Sequence, residues 1–104
     1  MYKEDSFENP KVIKEYLLRE RYCSLFLIRI MTSDKLNTII DLCIENNATL
    51  VISVDDINIY IPFEKGKYED TFTDEKYLYY WNYVFNNWNL LPINKIHSIN
   101  IKID

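Results

Sequence analysis

Glycine occurs once in this chain of 104 residues, at Gly66, alanine once, at Ala48, and histidine once, at His97. A single glycine excludes the phosphate-cradling loops and dinucleotide fingerprints, which need several glycines at fixed spacing. Two cysteines, Cys23 and Cys43, are too few for a disulfide framework, and with one histidine they cannot close a structural zinc site. Both sit inside apolar patterns and read as small buried hydrophobes. Long apolar runs are also missing: the apolar stretch LFLI, Leu25 to Ile28, falls far short of a membrane span. The opening MYKEDSFENP lacks the basic start and apolar stretch of a secretory signal, so cytoplasmic residence is expected.

What remains is ordinary globular material. Hydrophobic residues make up 48% and charged residues 27% of the chain, which argues against disorder and for one domain over residues 1–104. The weight of Ile, Asn, Lys and Tyr resembles an AT-rich coding sequence, as in low-GC bacteria, mobile elements or large viruses. The net charge of −4 is unevenly spread: residues 34–75 hold ten acids against three bases. Such a segment repels nucleic acid and attracts basic surfaces.

Asn9 as cap and Pro10 at the first helical position open a helix over 10–21. CSLFLIRIM, 23–31, is apolar at both parities and reads as a central strand covered on both faces. Phe26, Ile28 and Ile30 fall on one face, and Cys23, Leu25 and Leu27 on the other, turned away from the two later helices. TSDKLNTIIDLCIENN follows, with Thr32 or Ser33 as cap and Leu36, Ile39, Ile40, Cys43 and Ile44 as one stripe. ATLVISV and INIYI then alternate around Asp55-Asp56, a hairpin of the favoured two-residue length. Residues 63–73 form a loop, and IHSINIKI, 96–103, is a last strand. The aromatic stretch YLYYWNYVFNNWN, 77–89, reads as a helix opened by Asp74 and Glu75 with Thr73 as cap: Tyr77, Trp81, Val84, Phe85 and Trp88 fall on a core arc, and Tyr79, Asn82, Tyr83 and Asn86 on the reverse.

The resulting order, a helix and then β-α-β-β-α-β, predicts an α+β fold of ferredoxin-like type. A four-stranded antiparallel sheet would carry two helices on one face, with the additional N-terminal helix across the other. That fold raises an RNA-binding reading. It finds only Tyr60 as a stacking aromatic, and neither the basic nor the glycine positions such modules use. A Cys23–His97 pair requires the first and last strands to be neighbours, and Cys23 has no activating cation beside it. Asp55, Asp56, Glu64, Glu69 and Asp70 lack calcium-loop spacing, so no metal and no cofactor are expected.

These features favour a small non-enzymatic protein that binds another protein. Carboxylates among Asp55, Asp56, Glu64, Glu69, Asp70, Asp74 and Glu75 would meet a basic site on a nuclease or other nucleic-acid-handling protein, taking the place of phosphates. Tyr79, Asn82, Tyr83 and Asn86 would add contact area. Neither nucleic acid nor membrane is an expected direct partner. An inhibitor of the anti-defence (anti-CRISPR-like) kind from a phage or mobile element fits this size, and so does a toxin-immunity protein. The alternative is a ferredoxin-like homodimeric subunit holding a small ligand.

Overall fold

A computed structural model describes residues 10–26, 31–64 and 66–103. Helix α1 spans Pro10–Glu20 and α2 spans Ser33–Asn46. Four strands, β1 (Tyr22–Phe26), β2 (Thr49–Val54), β3 (Ile57–Pro62) and β7 (Ile96–Lys102), form one antiparallel sheet in the order β1-β7-β2-β3. Strands β4 (Phe72–Thr73), β5 (Tyr77–Asn82) and β6 (Asn87–Pro92) form a second, in chain order. A 3-10 turn, Ile93–Lys95, joins β6 to β7. No helix among the described residues is long and apolar enough to cross a membrane.

Local chemistry accounts for most of the first sheet. The Thr32 hydroxyl accepts from the Lys35 amide, Asp34 sits in the first turn of α2, and left-handed Asn47 closes it with its amide on Cys43 and Ile44. Asp55, at φ 53°, supplies the left-handed residue that the β2–β3 turn requires. Period-two alternation sets the two faces. Cys23, Ile101, Leu50 and Ile61 lie side by side across all four strands, each essentially buried. Ile99 and Ile52 extend that face, which packs beneath α2.

Three expectations about this sheet fail. β1 is an edge strand, paired only with β7, and the last strand takes the central place. Cys23 faces the helices rather than away from them, in the row of Ile101. Helix α1 lies with α2 and not across the other face: Leu17 is fully buried in the same cluster as the α2 stripe, and Lys14 meets Glu45 of α2 at 3.3 Å. The expected Asn9 cap and the continuation of the first strand through 27–30 lie outside the described residues. The far face of the sheet is consequently polar. Tyr22 donates to Asn100 Oδ1 at 2.8 Å and Ser53 donates to Asn58 Oδ1 at 2.7 Å, with Val51 and Tyr60 opposite one another.

The ferredoxin-like expectation is overturned by the second sheet. Residues 77–92 form a hairpin, not a helix, so the described residues hold seven strands in two sheets and two α-helices. Tyr, Trp and Phe favour the pleated surface, and asparagines at 82, 86, 87 and 89 compete with helical hydrogen bonding. Asn82 Oδ1 accepts from the amides of Val84 and Phe85 at 2.9 and 3.1 Å, and Asn86 is left-handed at φ 53°. Those two asparagines turn the chain back. The inner face of the hairpin, through Leu78 and Leu91, joins the buried cluster of the first sheet, and Thr73 of β4 donates to Asn37 of α2 at 2.7 Å. The alternative reading as a ferredoxin-like subunit loses its basis with the fold.

Candidate functional site

The acidic residues occupy connections between strands, all of them exposed. Asp55 and Asp56 form the β2–β3 turn, while Glu64 follows the far end of β3. Six residues of strand, about 20 Å, separate them. Asp74 and Glu75 form the β4–β5 turn. Both acidic turns border the segment before β7: Ile93 donates its amide to the Lys76 carbonyl, and Ile96 pairs with Val54. Asp55, Asp56, Asp74 and Glu75 therefore share one end of the molecule, together with Lys76 and Lys95.

Glu64, Glu69 and Asp70 belong to the 63–71 loop, which meets the β5–β6 turn. The Tyr68 ring lies edge-on to Tyr83 at 4.9 Å, and the Tyr68 amide donates to the Tyr83 hydroxyl at 3.4 Å. Burial raises the Tyr68 pKa, and its neighbours Tyr83, Tyr80 and Glu64 add to the shift. The seven carboxylates thus split into two groups.

Their availability differs as well. Asp74 is committed to its own turn, accepting from the amides of Lys76 and Tyr77 at 2.8 and 2.7 Å and from the Tyr79 hydroxyl. These donors, the hydroxyl first, hold its carboxyl below the usual aspartate range, and the same bond raises the Tyr79 phenol. Glu64 lies 4.0 Å from Lys67, and Glu69 accepts from the Gly66 amide at 3.4 Å. Among the described residues, Asp55, Asp56, Asp70 and Glu75 make no ion pair or side-chain hydrogen bond.

A second surface went unrecognised in the sequence. On the outer face of the three-stranded sheet, Phe72 stacks on Tyr79, its direct cross-strand neighbour, at 4.6 Å and 10°. Trp81 and Trp88, also directly opposite, meet edge-on at 5.5 Å. Phe72 and Trp88 bridge the face at 5.6 Å, and Leu90 pairs with Tyr79. Phe72, Trp88 and Leu90 remain roughly half exposed, and Val84 and Phe85 at the hairpin tip are 82% and 75% exposed. The helical reading inverts here, because four residues placed on its core arc (Trp81, Val84, Phe85 and Trp88) look outward or stand at the tip.

Tyr79, Asn82, Tyr83 and Asn86 do not form one face. Tyr79 stands on the outer sheet face, Tyr83 packs on Tyr68, and the two asparagines build the turn. Aromatics at 77, 79 and 81 are accompanied by Tyr80 and so show no clean alternation; the asparagine cluster that follows is the signal that marks a hairpin.

The remaining chemistry is dispersed. Cys23 lies opposite Ile101 on the buried face, whereas His97 is exposed four residues away along β7, so the two do not pair. Burial raises both thiols, Cys43 to about 12. Among the described residues, no three His, Cys, Asp or Glu side chains gather in a metal-binding arrangement. The polar face of the first sheet carries Tyr22 as well as Tyr60. An open groove lined by Asp74, Glu75, Lys76, Tyr77 and Tyr79 runs along the rim of the aromatic face. Comparison with protein-family models, with curated proteins and with solved structures found no match.

Proposed function

We propose that the protein acts by binding another protein through its acidic turns, as an antagonist or immunity-type factor rather than a catalyst. The supporting observation is the convergence of the Asp55–Asp56 and Asp74–Glu75 turns on one end of the molecule, with Asp55, Asp56 and Glu75 exposed and free of ion pairs among the described residues. Lys76 and Lys95 share that end and halve its formal charge, so the attraction is directed rather than diffuse.

A basic site of a nucleic-acid-handling protein is the complementary surface, because carboxylates spaced along turns can occupy positions otherwise filled by phosphates. Each exposed charge pair contributes about 1 kcal/mol at 4 Å in water. The charges therefore speed and orient encounter, and neighbouring contacts hold the complex.

The test is capture from a low-GC bacterial lysate with mass spectrometry, comparing the native chain with the triple variant Asp55→Lys, Asp56→Lys, Glu75→Lys. A basic protein retained by the native chain, released by salt and lost to the variant is expected. Retention unchanged by the variant ends the electrostatic reading. Converting Lys76 and Lys95 to Glu is expected to tighten the same association.

A further inference from the structure

Strand β6 is the edge of its sheet, and among the described residues its outer backbone row has no strand partner. Sheet edges are ordinarily blunted by charged side chains, prolines, bulges or cover. Between Asn87 and Leu91 none of the first three is present: the strand has no charge, no proline before Pro92 and no break in its register with β5.

The neutrality extends further, since residues 77–94 contain no Asp, Glu, Lys, Arg or His in a chain of net charge −4. Trp88 and Leu90, the outward side chains of β6, are each roughly half exposed and can pack against their counterparts across a seam without a charge to desolvate.

The β3 edge of the first sheet is uncharged along its strand but is flanked by Asp55–Asp56 and Glu64. Antiparallel pairing of β3 with its copy would set Asp55 and Asp56 against Glu64, like charge against like. The ends of β6 are Asn86 and Ile93, both neutral. A two-fold seam along β6 therefore brings no formal charge into opposition.

We propose that two copies of this chain join along β6, antiparallel about a two-fold axis, and merge their three-stranded sheets into one of six strands. The register is fixed by Pro92, which has no amide to donate. Centring the axis on Asn89 keeps Pro92 outside the ladder and sets Trp88 of each protomer beside Leu90 of the other, on the same outer face. The aromatic face then continues across the seam. This inference is independent of what the acidic turns bind.

Sedimentation equilibrium on the full chain across a concentration series tests it. The native chain is expected at twice its 12.6 kDa, with Leu90→Lys at least tenfold weaker in self-association and Ile57→Lys, on the β3 edge, unchanged. Leu90 is half exposed, and an unaltered far-ultraviolet spectrum checks that its variant folds. The native chain supplies a second readout that needs no variant. Trp81 and Trp88 are its only tryptophans, and their quenching by acrylamide should rise on dilution. A monomer at concentrations well above the micromolar range overturns the proposal. So does a dimer that survives Leu90→Lys, or one that Ile57→Lys disrupts.

Discussion

The two sheets of this protein use the same alternation of side chains for opposite ends. In the four-stranded sheet the inner rows are aliphatic, as in Cys23–Ile101–Leu50–Ile61, and the outer rows hold Ser53, Asn58, Asn100 and Thr49. This is the division expected of an antiparallel sheet with one face packed and one in water. In the three-stranded sheet the inner face contributes Leu78 and Leu91 to the core, but the outer face is Phe72, Tyr77, Tyr79, Trp81, Trp88 and Leu90. A short sheet is marginal alone and gains from cross-strand aromatic pairs. Stability explains the stacked and edge-on pairs. It does not explain Val84 and Phe85 at the tip, which are mostly exposed and make no ring contact among the described residues.

Substitutions separate the two sheets by how deeply each depends on burial. Ile52→Ala, in the fully buried row, is expected to cost about 2–5 kcal/mol in denaturant unfolding. Trp88→Ala, which removes two ring contacts from a half-exposed position, should cost about 1–2 kcal/mol. Loss comparable to Ile52→Ala would make the aromatic face part of the core and erase the contrast. Asn82→Ala removes both side-chain hydrogen bonds of the β5–β6 turn and should cost about 1 kcal/mol, read as faster amide exchange in β5 and β6 before β2 and β7.

The acidic turn beside the aromatic face adds a pH dependence. Asp74 is held below its ordinary range by Tyr79 and by the amides of Tyr77 and Lys76. A carboxyl depressed on folding contributes stability that is complete above its unfolded pKa and is lost as pH falls through the lowered folded value. Acid unfolding of the hairpin should therefore begin on the acid side of the ordinary aspartate range, and Asp74→Asn should flatten that limb. The smallest effect belongs to the tip, where Val84→Ser is expected to stay within about 0.5 kcal/mol, since 82% of that side chain is already in water.

The contrast also marks what could be read without coordinates. Helix α2, the β2–β3 hairpin at Asp55-Asp56 and the last strand each carry one unambiguous signal, a cap and stripe or a clean alternation, and each forms where those signals put it. β1 misled because apolar residues at both parities say that a strand is covered, not which neighbours cover it. Pairing with β7, more than seventy residues away, decides that Cys23 faces inward. In 77–89 so many aromatics are present that helical and strand periods both find a stripe, and composition on the two arcs cannot arbitrate. The asparagines were the better guide, because Asn82 and Asn86 specify a reversal of the chain. Of the candidate carboxylates, Asp55, Asp56, Glu64, Glu69 and Asp70 were legible as turn or loop residues, whereas Asp74 and Glu75 read as a helix start and lie instead in the β4–β5 turn. The grouping was not legible, since it depends on which turns the segment before β7 draws together.

The pairing proposed along β6 depends most on the outward hairpin, and nuclear Overhauser contacts within 77–92 test it most directly. The account predicts contacts between the indole rings of Trp81 and Trp88 and between Tyr79 and Leu90 across the strands. Contacts instead between residues three apart along 77–88, the signature of a helix, would contradict it.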